Sequence, residues 1–202
     1  MENKTLLKLG YIILSYLNKI RNIFRPTIKQ VDEFQITQVP MFDERIDVFW
    51  DRIKDDYSFI LEKKRDYLNW RFTDNDRGSH MVFQAVKGEE VLGYAVVEYV
   101  SGASEGYIVD LLALRDRLDV ADALMGRACE CLDGKGLNTV YYQVVVGHPY
   151  QTLSKRKGFI DSRSRPYISF DYSIYYRKRN YKIQFFKNTA PSRVYFNYAD
   201  TV

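Results

Sequence analysis

Asp110 sits in a run that is otherwise apolar on both faces, Tyr107-Ile108-Val109-Asp110-Leu111-Leu112-Ala113-Leu114, and its setting is the most suggestive of chemistry in the chain. Burial disfavours an ionised carboxyl and lifts its pKa toward the range in which it can serve as a general base. Glu98, near the end of another apolar strand, and His148, just before Pro149, are the other acid–base candidates. Each has a plainer account. Asp110 can be a buried aspartate paired with Arg or Tyr, Glu98 a solvated strand face, and His148-Pro149 a turn that opens a helix. No Ser/His/Asp or Cys/His arrangement emerges from the spacing. The two histidines, His80 and His148, lie far apart, and Cys129 and Cys131 stand two apart on a helical pattern, which points their thiols away from each other. Neither zinc nor a disulfide is expected, and the cysteine usage reads as a reducing, cytoplasmic environment.

The elements that must hold these residues follow from hydrophobic period. From Asp43, the residues Ile46, Val48, Phe49, Ile53, Tyr57, Ile60 and Leu61 recur near the helical repeat, with acids early and Lys63-Lys64 late. Arg65-Asp66-Tyr67-Leu68-Asn69-Trp70-Arg71-Phe72 reads as a second helical piece, with Trp70 and Leu68 buried and Arg71 on an acidic partner. The period then changes to that of strands: Met81–Val86, a Lys87–Glu90 turn and Val91–Val100 form a hairpin. Tyr107–Leu114 is a central strand. Asp119–Leu132 is a helix, N-capped by Asp119 and closed by glycines at 134 and 136. Thr139–Val146 is a second central strand, Pro149–Arg156 a short helix, and Tyr167–Ile174 and Lys182–Phe186 a final strand pair. The fold class is α+β, with a mixed, mostly antiparallel sheet flanked by helices. A dinucleotide fold would alternate throughout and carry a glycine fingerprint after its first strand.

Composition bounds the rest. The chain has 202 residues, 46% hydrophobic and 28% charged, which suits one globular unit and excludes disorder and repeat arrays. A formal charge of +4 is too mild for a nucleic-acid signature. The cations gather at the two ends, so the middle is net acidic. Residues 1–40 form an amphipathic helix and linker, and residues 41–202 the main domain. The apolar stretch Leu6–Leu17 is interrupted by Lys8 and Gly10 and is too short to span a bilayer. Its helix suits packing on protein, with peripheral contact to an anionic membrane as the alternative. The tail interleaves Tyr167, Tyr172, Tyr175, Tyr176, Tyr181, Phe185, Phe186, Tyr195, Phe196 and Tyr198 with Arg177-Lys178-Arg179 and Lys182. Charged edge strands account for this better than stacking on single-stranded nucleic acid.

Four features in this order resemble the GNAT acyltransferases. They are the strand segment Val91-Leu92-Gly93-Tyr94-Ala95, the strand Val109–Leu114, the helix Asp119–Leu132, and the closing motif Leu153-Ser154-Lys155-Arg156-Lys157-Gly158-Phe159. The likeness covers roughly residues 42–175. Tyr67-Leu68-Asn69-Trp70-Arg71-Phe72 further resembles a subgroup in which one chain holds two such domains, this one being similar to a degenerate second half. The resemblance implies transfer of an acetyl or other acyl group from acyl-CoA to the amine of a small molecule or peptide. It implies that two central strands part, leaving Leu112, Ala113 and Leu114 to pair with the pantetheine arm. Arg115, Arg117, Ala121 and Ala123 would lie at the pyrophosphate, and Asp110, Glu98, Tyr150 or Ser154 would supply acid–base chemistry. Ser154 stands where many relatives have a tyrosine that protonates the departing thiolate, and Tyr150, one turn earlier, is the substitute.

The chain departs from the pattern at the phosphate loop. Arg115-Asp116-Arg117-Leu118-Asp119-Val120-Ala121-Asp122-Ala123 has no glycine to let main-chain N–H groups close around a phosphate. Three carboxylates there would each oppose phosphate by about 1–4 kcal/mol at surface dielectric. Two functions follow from this reading: an acyltransferase with weakened acyl-CoA binding, or a non-catalytic module that docks a partner GNAT domain or a second copy through its N-terminal helix.

Overall fold

The computed structural model describes residues 33–74, 79–160 and 189–195. The expected N-terminal helix and the strand pair at 167–174 and 182–186 lie outside these residues. Five strands form one sheet in sequence order: β1 (Gln35–Val39), β2 (Ser79–Lys87), β3 (Glu90–Tyr99), β4 (Glu105–Ala113) and β5 (Thr139–Tyr142). The first four are antiparallel, and only β4 and β5 run parallel. Four helices flank the sheet: α1 (Arg45–Ile53), α2 (Arg65–Phe72), α3 (Leu118–Asp133) and α4 (Pro149–Arg156). The sheet is mixed and mostly antiparallel, as the period analysis expects.

Each helix follows from its apolar spacing. Ile46, Phe49, Trp50 and Ile53 lie three and four apart and are buried on one stripe of α1. Ahead of it, Asp43 Oδ1 accepts the Arg45 backbone N–H at 3.1 Å and the Arg45 side chain closes back on the same carboxylate at 2.7–3.1 Å. That guanidinium holds the Asp43 carboxyl below its usual range. In α3, Val120, Leu124, Met125, Ala128 and Leu132 form the buried stripe against β3 and β4.

Several expectations need correction. The helical pattern from Asp43 does not run to Lys64: α1 ends at Ile53, a single 3-10 turn follows at Lys54–Asp56, and the chain then becomes extended. The cause is tertiary. Phe59 bridges Val194 in parallel, with Ser58 and Phe59 N–H donating to Arg193 O and Tyr195 N–H donating to Phe59 O. Trp70 is 60% exposed rather than buried, packing at its flank on Tyr67, while Leu68 is buried. Asn69, beside it, ties α2 to the start of α1: it accepts the Phe42 N–H at 2.8 Å and donates to Phe42 O at 2.9 Å. Asp119 is not an N-cap, because α3 begins one residue earlier and the carboxylate is held by Arg117. At the far end Gly134 keeps helical geometry, and Gly136, at φ +70°, makes the left-handed turn.

Candidate functional site

The two parallel strands pair over four residues only, from Glu105/Thr139 to Ile108/Tyr142. Beyond Ile108, β4 continues for five residues while the chain after Tyr142 leaves the ladder. Among the described residues, one edge of β4 therefore lacks a strand partner from Val109 onward. Which backbone groups face that edge is fixed by alternation. The Leu114 N–H donates to Leu92 O at 3.0 Å, on the β3 side. Leu112, opposite Tyr94 in the ladder, points its backbone the same way. The backbone groups of Leu111 and Ala113 face the open edge. Of the expected set Leu112, Ala113 and Leu114, Ala113 faces the open edge together with Leu111, while Leu112 and Leu114 turn their backbone groups to the β3 ladder.

Side chains, not a strand, meet that edge. The Tyr150 hydroxyl accepts the Ala113 N–H at 3.0 Å, and Ala113 O lies 3.5 Å away. The Tyr195 hydroxyl accepts the Leu111 N–H at 3.2 Å and stands 2.6 Å from both Leu111 O and Asp110 Oδ1. Its single proton serves two acceptors in turn. Both phenols are buried, and desolvation raises their pKa well above the ordinary value. Tyr57, whose phenol burial pushes up to about 12, lies near Tyr150 and meets the Tyr195 ring edge-on. His148 packs against both Tyr150 and Tyr195.

Asp110 is fully buried. Its Oδ2 accepts from Tyr94 at 3.0 Å and lies 3.3 Å from the ammonium of Lys63, which is buried as completely. Lys63 also faces the rings of Tyr67 and Tyr195 at 5.8 and 5.7 Å. The structure thus gives Asp110 the paired, buried setting of the plainer account. It also aims the other carboxylate oxygen at the hydroxyl that covers Leu111.

The remaining acid–base candidates are placed elsewhere. Glu98 shares a face of β3 with Tyr94 but lies four residues along the strand, about 14 Å away, with His80 Nε2 at 3.8 Å from its carboxylate. Burial lowers the His80 pKa, which keeps this contact from being a full ion pair. Ser154 faces its own helix, donating to Gln151 O at 2.9 Å, so it does not reach the slot. His148 caps α4: its Nδ1 accepts the Tyr150 N–H at 3.2 Å, and burial depresses its pKa to about 4, so it stays neutral. Of the expected catalytic set, the structure brings Tyr150 and Asp110 to the slot and leaves Glu98 and Ser154 outside it.

At the start of α3 the charges are already matched. Arg117 holds Asp119 through two bonds of 2.9 and 2.8 Å, both side chains being buried, and its guanidinium lies over Phe34. Lys157 holds Asp122 at 3.0 Å. The Arg117 N–H donates to Leu114 O in a turn, and the Ala121 N–H to Arg117 O within the helix. Ala121 is buried and Ala123 partly so. Arg115 is exposed, 3.9 Å from Asp56, in a shallow depression of about 490 Å³ lined by Arg52, Asp56, Leu114, Arg115 and Asp116. Among the described residues, the two backbone positions on this edge are met by side-chain hydroxyls, and they are the groups that would pair with a pantetheine arm. The α3 entrance does not fit a pyrophosphate, because its carboxylates and cations neutralise one another. Among the described residues no cluster of His, Cys, Asp and Glu has the form of a metal site, and no helix is long and apolar enough to cross a membrane. Cys129 and Cys131 are free thiols, and burial lifts Cys129 to about 11.

Sequence reasoning missed Lys63 and gave Tyr195 a surface role. Lys63 entered only with Lys64 as a late cation of a helical pattern, whereas it is buried against Asp110 and the rings of Tyr67 and Tyr195, beside the Phe59–Val194 bridge made across more than 130 residues.

No family model and no curated protein matches the sequence. Solved structures do match. A probable acetyltransferase shares 16% identity, with 65% of this chain and 93% of that one covered at a TM-score of 0.50. A ribosomal-protein-alanine N-acetyltransferase from Brucella melitensis biovar Abortus 2308 shares 12%, covering 66% and 96% at 0.49. A tandem GNAT protein from the clavulanic acid biosynthesis pathway shares 17%, and the match spans 65% of this chain and 45% of that one at 0.49. At such identities the likeness is one of architecture. With its parted parallel strands and mixed five-stranded sheet, the chain has the fold of the GNAT acyl-CoA N-acyltransferases.

Proposed function

We propose that the chain is an N-acyltransferase of the GNAT type, moving an acyl group from an acyl-CoA held weakly to the amine of a small molecule or peptide. The observation that carries this reading is the Tyr150 hydroxyl on Ala113, at the edge of β4 where the parallel ladder stops. An acyl thioester supplies an activated carbonyl. The N–H groups of Leu111 and Ala113 lie on one edge and would orient it once the hydroxyls that cover them give way. Tyr150 stays protonated, since burial raises its phenol, and so offers an O–H rather than a negative charge to the departing sulfur. Asp110 Oδ1, beside Leu111, is positioned to accept the proton that the attacking amine must lose. Calorimetric titration with acetyl-CoA tests the reading: binding in the high micromolar to millimolar range is expected, and no heat with no rise in Tm at millimolar acetyl-CoA would refute it.

The neutralised entrance of α3 favours a second reading, a GNAT-fold module without catalysis that works beside a partner domain or a second copy. Arg117 and Lys157, two cations at the start of that helix, are held by Asp119 and Asp122. The same titration separates the two, since a module without donor binding gives no response at any concentration.

A further inference from the structure

Tyr195 comes from a separate stretch of chain. Residues 189–195 reach the slot from outside the sheet and make a 3-10 turn at Pro191–Arg193. They are fastened by a short parallel bridge, in which Ser58 and Phe59 N–H donate to Arg193 O at 2.7 and 3.3 Å and Tyr195 N–H donates to Phe59 O at 2.9 Å. Pro191 packs under Gly147, where an added Cβ would meet its ring at 3.1–3.2 Å. Arg193 itself is exposed, whereas Val194 and Tyr195 are buried. The bridge has far fewer backbone bonds than the β2–β3 or β3–β4 ladder, so what holds the stretch is chiefly the burial of Val194 and Tyr195 and the bonds of the Tyr195 hydroxyl.

We propose that the Ala190–Tyr195 stretch is an intramolecular plug. Its Tyr195 hydroxyl takes the Leu111 N–H and C=O that the thioester end of the donor needs, so donor binding and the docked stretch exclude each other. This rests on the acyltransferase reading above. Departure of the plug has two effects at once. It uncovers Leu111 as a donor–acceptor pair on the open edge, and it removes the hydroxyl that lies 2.6 Å from Asp110 Oδ1. The oxygen placed to receive the amine proton becomes available only in the state that can hold the donor, while Oδ2 stays fixed by Lys63 and Tyr94. Apparent donor affinity is then the intrinsic affinity multiplied by the fraction of chains with the plug out. Weak binding thus has a cause separate from the charges at α3.

The test uses the full chain, acetyl-CoA as probe and the Tyr195→Phe variant, which keeps the ring and removes the hydroxyl. Calorimetry should show acetyl-CoA binding tightened by about tenfold, the order expected for removing one buried hydrogen bond from the closed state. A second readout needs no variant. The Arg193–Val194 peptide bond is shielded by the bridge, so trypsin cleavage there, followed by mass spectrometry, should accelerate in saturating acetyl-CoA. Equal affinities for wild type and variant, or binding with cleavage at Arg193 unchanged, would overturn the plug while leaving the acyltransferase reading intact. Absence of binding in both proteins would remove the reading and the plug together.

Discussion

The ammonium of Lys63 lies 3.3 Å from Asp110 Oδ2, and neither side chain retains any solvent-exposed surface. An ion pair this deep is held by geometry rather than by Coulomb energy alone, because both charges have lost their hydration. Two phenols complete it, Tyr94 on Oδ2 and Tyr195 on Oδ1. Breaking one side leaves the other charge stranded. Lys63→Met is expected to destabilise the fold by about 3 kcal/mol, at the low end for a broken buried pair because the two hydroxyls still donate to Asp110. The double variant Lys63→Met, Asp110→Leu should recover part of that loss. Urea midpoints measure both, and a single variant as stable as wild type would show that the pair contributes nothing.

His148 sets a pH dependence. Its folded pKa, about 4, lies below the ordinary 6.5 because burial disfavours the charged ring. The unfolded chain therefore binds the proton first, and the stabilisation is present in full above pH 6.5 and is lost as pH falls toward 4. A difference of about 2.5 units corresponds to at most about 3 kcal/mol. His80, also lowered by burial, adds in the same direction. Asparagine at 148 can still accept the Tyr150 N–H as a helix cap. His148→Asn should therefore flatten the fall in Tm between pH 6.5 and 5 without abolishing it, and an unchanged slope would place the titration elsewhere.

The parting of β4 from β5 was implied by the GNAT resemblance, whereas the hairpin, the central strands and the mixed pairing were legible because the strands are apolar runs bounded by turns and α3 carries an unbroken stripe from Val120 to Leu132. The candidacy of Tyr150 was legible too, as the substitute that the resemblance offers one turn before Ser154. Lys63 and Tyr195 were not. Neither a lysine after a helical pattern nor a tyrosine in a basic tail signals burial, and the two meet Asp110 through contacts between distant parts of the chain, among them the bridge from Phe59 to Val194. Strand alternation could have shown that Leu112 and Leu114 face β3, had the register with Gly93 and Tyr94 been fixed by sequence. The β4 irregularity opposite Val96 and Val97 prevents that, since it shifts the pairing by one residue.

Gly93 separates slot geometry from general packing. A Cβ there would meet Leu112 O at 2.7 Å and Ala113 at 2.9 Å, which are backbone and a short side chain on the strand that faces the slot. A Cβ at Gly106 would meet the tips of Leu137 and Leu132 at 2.5 and 3.0 Å, and those can turn aside. Gly93→Ala is expected to cost about 1–3 kcal/mol and to displace the end of β4, while Gly106→Ala should cost less. Thermal melts give the ordering. Amide exchange at Ala113 should quicken in the Gly93 variant alone, as its bond to Tyr150 lengthens, and equal exchange in both variants would count against a rigid coupling of Gly93 to the slot.

Ser154 and Tyr150 compete for one role, and the structure distinguishes them by direction. Ser154 Oγ spends its hydrogen on Gln151 O inside α4, whereas the Tyr150 hydroxyl lies on Ala113 at the open edge. Under the acyltransferase reading, Tyr150→Phe keeps the ring packed against His148 and removes only the O–H. It should lower kcat by about a hundredfold, a typical contribution from a positioned acid, with a smaller change in KM. Ser154→Ala should leave kcat within about twofold. If the serine variant were the impaired one, proton delivery would have to come from the helix interior, and the assignment of Tyr150 would fail even with donor binding intact.

Asp116 tests the phosphate entrance without disturbing the fold, since it is exposed and lines the depression shared with Arg52, Asp56, Leu114 and Arg115. There two carboxylates face two guanidiniums, and a polyanion gains little. Asp116→Ala removes one repulsive charge at solvent-exposed range, where a single interaction is worth about 0.4–1 kcal/mol at the upper part of the usual span, so acetyl-CoA affinity should rise about twofold to fivefold. The gain should shrink as salt rises from 0.05 to 0.3 M, roughly as the screening length falls below the spacing of the groups. A salt-independent change would mean that the substitution acted on packing, and measurable donor binding with no change at all would place the phosphates away from the start of α3.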